Sequence, residues 1–199
     1  METLKQKIDL WIDKTFDIIS KIGNERDGVR TNNSTDTKII FPAMRKTDSH
    51  ESQYRISEQE LKQIFIEQLV KDNNDYRYSV ETPTTERYCF KGNKENGGRS
   101  ASIDITIHSS DGKTRLAIIE FKFSNGRAEN IKKDFEKLRT DSLEDKPLRY
   151  FIHLIEAYSE RTHANIETKY KKVRAEAKGN FEVCEILRTI ENEIIKLER

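Results

Sequence analysis

Apolar side chains recur near the start of the chain at Leu4, Ile8, Trp11, Ile12, Ile18, Ile19 and Ile22. Steps of about three and four residues put them on one helix face, so the spacing predicts an amphipathic helix over 1–22, ended by Gly23. The stretch 24–51 is polar, with Gly28, the run Asn32-Asn33-Ser34-Thr35-Asp36 and one apolar island at Ile39-Ile40-Phe41-Pro42. So few apolar groups cannot tie a backbone down, and a mobile loop is predicted. Ser57 and Glu60 have the spacing of a capping box. Leu61, Ile64, Phe65, Leu69 and Val70 then give one apolar face, predicting a helix to about Lys71.

Downstream the period shortens to that of strands. Tyr76 to Val80 alternates as a half-buried strand does, with Pro83 expected to stop it and Tyr88 to Phe90 as a short second piece. Residues 93–98 predict a turn. Ile103, Ile105 and Ile107 alternate with Asp104, Thr106 and His108. Ser109-Ser110-Asp111-Gly112 then turns the chain into the apolar run Leu116 to Phe123, so a hairpin is expected. Ile131, Phe135 and Leu138 mark a helix, Tyr150 to Ile155 a further strand, and the chain from about Ala164 to Arg199 reads as helical with a break near Gly179. The expectation is one α+β (α/β) domain over 1–199: a core over 57–157 with a mixed central sheet flanked by helices, and C-terminal helices over 158–199.

The chain has 199 residues, enough for one domain with a real core. Its 36 basic and 35 acidic residues nearly cancel. That excludes coating of nucleic acid by bulk charge and leaves only a local basic surface for such contact. Cys89 and Cys184 match no zinc-ligand spacing and suggest no disulfide framework. Lys and Asp interrupt the apolar residues of the first helix, so it is not a signal peptide. No stretch is long enough to span a membrane, and a reducing, cytoplasmic setting is expected.

In Ile119-Glu120-Phe121-Lys122, strand alternation points Glu120 and Lys122 to one face and the apolar residues to the other. A hairpin brings Asp104, the acid between isoleucines on the preceding strand, beside Glu120. Two carboxylates so close repel each other, and a divalent cation held by their oxygens relieves this. An oxygen-only set suits Mg2+ or Mn2+. Such an ion polarises a phosphoryl oxygen and lowers the pKa of a water. Lys122 beside it can orient or deprotonate that water or stabilise charge on the phosphate. Acid-x-Lys alone carries nothing here, since it recurs at Asp36-Thr37-Lys38, Glu167-Thr168-Lys169 and elsewhere. The copy at Glu120 stands out because it lies in an apolar strand one hairpin after Asp104.

Residues from about Ser57 to Ala157 resemble the PD-(D/E)XK nuclease superfamily, with Asp104 matching the motif aspartate and Glu120 and Lys122 the (D/E)XK pair. Ile103 stands where the proline would be. The resemblance implies a restriction-endonuclease-like αβββαβ core in which Asp104 and Glu120 bind metal and Lys122 serves the attacking water. It also implies a metal-supporting glutamate on the first core helix, either Glu58, nearer the buried face, or Glu60, which competes with its role in the cap. The implied activity is metal-dependent hydrolysis of nucleic-acid phosphodiesters, DNA before RNA. The alternative is a catalytically inactive DNA- or partner-binding module on the same fold.

Arg127, Lys132, Lys133 and Arg139, around the helix after the motif strand, form a candidate phosphate-contacting surface. The basic run Lys169, Lys171, Lys172, Arg174 and Lys178 reads first as a solvated helix face. His108 and His153 read first as packed or surface residues, and Glu81 first as turn geometry near the site. Trp11 and the isoleucines of the first helix suit core packing or contacts in a homodimer.

Overall fold

The computed structural model describes residues 2–24, 37–39, 41, 56–72, 75–88, 99–124, 126–155 and 159–197. The elements run α1 (Leu4–Asn24), α2 (Glu58–Asp72), β1 (Arg77–Tyr88), β2 (Arg99–His108), β3 (Arg115–Phe123), α3 (Ala128–Thr140), β4 (Leu148–Ile155), α4 (Glu160–Glu176) and β5 (Cys184–Thr189). The five strands form one sheet in chain order, antiparallel from β1 to β3 and parallel from β3 to β5. The fold is α+β with a mixed sheet. No helix among the described residues is long and apolar enough to cross a membrane.

Alternation along β3 divides the core into two layers. Ala117, Ile119 and Phe121 join Ile8, Trp11, Phe16, Leu61 and Phe65 in a cluster beneath α1 and α2. Ile118 faces the other way, into a cluster with Ile131, Phe135, Leu138, Phe151 and Tyr170 beneath α3 and α4. Edge-to-face contacts knit each layer: Trp11 to Phe65 at 6.2 Å and Phe65 to Phe121 at 5.5 Å on one side, Phe135 to Phe151 at 5.7 Å on the other. Each such ring, buried, contributes about 1.5–3 kcal/mol. Glu120 and Lys122 share the parity of Ile118, which turns them toward α3.

The hairpin forms as its sequence predicts. Ser109 N–H donates to Thr114 C=O, and Gly112 has φ 75° at the tip. Ser57 and Glu60 also join at the start of α2, where the serine hydroxyl bonds the Glu60 carboxylate directly.

Three expectations need correction. Pro83 does not end the first strand: β1 continues to Tyr88, with Pro83 opposite Ser102 and a register shift beyond it. As an edge strand, β1 loses little from the missing N–H of proline. The C-terminal segment is not wholly helical. After α4 it forms β5, parallel to β4, with Leu187 buried, and Gly179 marks the crossing between them. A run of six residues with apolar positions at Cys184, Ile186 and Leu187 is too short to separate strand from helix by period alone. Most of 24–51 and all of 93–98 lie outside the described residues. Within the former, however, Thr37 and Phe41 are buried and Lys38 N–H donates to Glu67, so these three residues are tied to the fold rather than loose.

Candidate active site

The β2–β3 ladder pairs Ile105 with Ile119, and one step further along this register Asp104 faces Glu120. The paired register is last met at Ile105–Ile119, and the Asp104 carboxylate itself accepts the Phe121 N–H, at 2.7 Å. On β1 the register passes from Val80–Ile105 to Thr82–Ile103, which sets Glu81 alongside Asp104. Glu81 has φ 48°, a left-handed backbone inside a strand. Such a conformation costs a non-glycine residue about 1 kcal/mol or more and commonly re-aims a side chain. Here its Oε1 lies 3.2 Å from Lys62 Nζ.

Two helices close over this row. From α2, Lys62 bridges Glu81 and Asp104, with Nζ 3.2 Å from each, and Glu58 Oε2 reaches to 3.7 Å from Lys122 Nζ. From α3, Asp134 holds Lys122 at 2.7 Å, while Lys137 Nζ lies 2.6 Å from Glu120 Oε1 and 3.2 Å from Asp134 Oδ1. Lys137 also donates to the Ser102 carbonyl at 2.9 Å. The fully enclosed Oε1 of Glu120 thus faces the Lys137 ammonium. All of these side chains but Lys62 line a cleft of about 380 Å³, with Lys133 and Ser100 to Ser102 completing the wall.

Burial pushes the Glu120 carboxyl well above the usual carboxylate range. Lys137 opposes this, whereas Asp104 and Asp134 add to it. Glu58 is raised by burial against the pull of Lys122. Burial alone would lower the ammonium groups of Lys62, Lys122 and Lys137, but the neighbouring carboxylates outweigh it, and all three stand above the ordinary lysine value. The lysines are therefore held charged.

Asp104, Glu120 and Lys122 thus meet in one cleft. Of the two helix glutamates, Glu58 lines it and Glu60 is engaged with Ser57 at the cap. Glu81 belongs to the site as well. Lys133 lies on its wall, but the other three basic candidates do not line it. Arg139 Nη1 donates to the carbonyls of Arg174 and Ala177, closing the end of α4, and Lys132 is paired with Glu136 and Glu176. His108 bonds Ser79, at the hairpin end of β2. His153 is buried between Tyr170 and the Ser124 carbonyl, and burial lowers it to about 4. It packs on β4, beside the end of β3, as a neutral ring.

Sequence reasoning missed Lys62, Asp134 and Lys137. The signal was present for two of them. Asp134 occupies the i+3 position of the apolar stripe Ile131, Phe135, Leu138, and Lys62 lies three and seven residues before Phe65 and Leu69. A charge in a stripe that must face the core needs a partner there.

The donor set is wholly oxygen, which suits a hard divalent ion. Among the described residues, however, no three acids converge closely enough to hold one. The acids are bridged by ammonium groups instead. No family model matches the chain, and no curated protein or solved structure matches it either.

Proposed function

We propose that this chain is a divalent-metal-dependent nuclease that hydrolyses phosphodiester bonds in DNA. The observation that carries the reading is the Ile105–Ile119 pairing, which sets Asp104 across from Glu120 in a cleft shared with Lys122, Glu58 and Asp134. The succession of helix, three antiparallel strands, helix and parallel strand accords with the core of the PD-(D/E)XK superfamily and supports the resemblance.

Asp104 and Glu120 are the residues to hold Mg2+ or Mn2+, with Glu58 as the supporting carboxylate. A bound ion of this kind supplies Lewis-acid polarisation of the phosphate and a water of lowered pKa. Lys122, kept charged by Asp134 and Glu58, is suited to donate to a phosphate oxygen and to stabilise the charge that builds up on it, rather than to take a proton. Lys133, exposed on the cleft wall, is placed for the phosphate backbone beside the scissile bond.

The test incubates plasmid, duplex, branched and single-stranded DNA with the protein in magnesium or manganese. Cleavage is expected to fall by about two orders of magnitude or more in Glu120→Ala and in Lys122→Ala, with losses that do not add in the double variant. Wild-type protein that binds DNA but cleaves nothing above the Lys122→Ala control establishes the binding module instead.

A further inference from the structure

The deepest ammonium in the cleft is not that of the motif lysine. Lys137 is 6% exposed, and its Nζ is surrounded by Glu120 Oε1, Asp134 Oδ1 and the Ser102 carbonyl oxygen at 2.6, 3.2 and 2.9 Å. Two carboxylates and a backbone carbonyl are the oxygen types that bind magnesium and manganese, here gathered around a single positive charge. Glu120, 2% exposed, presents to that point an enclosed oxygen whose charge partner is the Lys137 ammonium. The ammonium groups of Lys62, Lys122 and Lys137 each pair with two of the carboxylates of Glu58, Glu81, Asp104, Glu120 and Asp134.

We propose that the Lys137 ammonium is the resident cation of this cleft and that a divalent metal ion enters by displacing it, so that Glu120 passes from lysine to metal. The inference rests on the metal-dependent reading above and adds to it a competitor within the chain. Lys62 and Lys122 do not share the role: the former pairs with Glu81 and Asp104 and the latter with Asp134 and Glu58, and neither makes an ion pair with Glu120. Lys137 stands one helical turn beyond Lys133, which lines the same cleft. A flexible four-carbon stem lets its head group withdraw toward that wall.

The experiment titrates manganese chloride into wild type, Lys137→Met, Lys137→Arg and Glu120→Gln by calorimetry, and records thermal midpoints in EDTA and in saturating manganese. A unit charge removed a few ångströms from a divalent ion implies that Lys137→Met binds manganese on the order of ten- to a hundredfold more tightly than wild type. Lys137→Arg, which keeps the charge, gains no affinity. Lys137→Met also melts below wild type in EDTA and recovers in manganese. If it does not fold without metal, recovery of its circular dichroism on adding manganese supports the displacement, and failure to recover at any manganese concentration overturns it. Equal or weaker binding by a folded Lys137→Met overturns it too. If wild type binds manganese through Glu120 but Lys137→Met does not tighten, only the resident-cation proposal fails. If neither wild type nor Lys137→Met binds in a way that Glu120→Gln abolishes, the metal reading fails with it.

Discussion

The Asp104 carboxylate and the Phe121 backbone N–H, 2.7 Å apart, join β2 to β3 one step past Ile105–Ile119, the last pair of their register. The same carboxylate faces Lys62 at 3.2 Å with its other oxygen. Asp104 thus closes the sheet and opens the cleft, and its loss removes two buried partners together. Asp104→Ala is expected to destabilise the protein by about 2–4 kcal/mol in urea unfolding. Asp104→Asn retains an acceptor for Phe121 and is expected to recover about half of that, while losing cleavage as fully as the alanine variant. Equal destabilisation by both would assign the stability to the ion pair with Lys62 and not to the N–H bond.

The basic residues flanking β3 divide by what they touch. Lys133 lines the cleft, whereas Arg139 closes α4 through the carbonyls of Arg174 and Ala177. Lys133→Ala is therefore expected to weaken DNA binding across sequences and lower the salt slope by about 1, with a smaller fall in melting temperature than Arg139→Ala. Arg139→Ala is expected to lower the melting temperature and leave the salt slope alone. Fluorescence anisotropy across a salt series, with thermal melts, separates the two. A salt slope that falls in Arg139→Ala would place DNA on the α4 side instead.

Legibility followed the strength of local pattern. Asp104, Glu120 and Lys122 were readable because alternation in an apolar strand assigns faces without knowledge of the rest of the chain, and the turn at Ser109 to Gly112 fixes which strand lies alongside. The sequence favours Glu58 over Glu60 only narrowly, since a capping box and a site contact use neighbouring positions of one helical turn. The structure divides them by giving Glu60 to Ser57. Lys62, Asp134 and Lys137 enter through tertiary packing: only the docking of α2 and α3 over the β2–β3 row decides which charges meet. β5 was missed because Cys184 to Thr189 is short and half-buried, and its pairing with β4 depends on a crossover through α4.

That crossover depends on Gly179. Its φ is 97°, and a Cβ there would lie 2.3 Å from the Arg139 carbonyl oxygen, backbone that cannot swing aside. Beside it, the Phe181 N–H donates to the same Arg139 carbonyl. Gly179→Ala adds both left-handed strain and a steric clash, so a loss of about 2–4 kcal/mol is expected. Since α3 carries Asp134 and Lys137, the variant is also expected to lower cleavage at temperatures well below its melting point. A Gly179→Ala protein with wild-type unfolding would mean that α3 and the β5 crossover move apart freely.

The buried His153 gives the fold an acid limit. Its Nε2 donates to the Ser124 carbonyl and its Nδ1 accepts from the Tyr170 hydroxyl, at 2.6 and 2.7 Å, an arrangement that requires the neutral ring. Burial lowers its pKa from 6.5 to about 4, against the opposing pull of the Ser124 carbonyl. Between those values the unfolded chain binds a proton that the folded one refuses, so the unfolded state gains on acidification. The stabilisation is complete above pH 6.5 and is lost as the pH falls toward 4. A gap of that size corresponds to about 3 kcal/mol. The urea midpoint of wild type is expected to fall over this window, whereas His153→Gln, less stable at pH 7 for want of the ring, is expected to show a flatter profile from pH 6.5 to 4. A profile equally steep in the variant would move the acid sensitivity to other groups, and the ring would then be a packing residue without a titrating role.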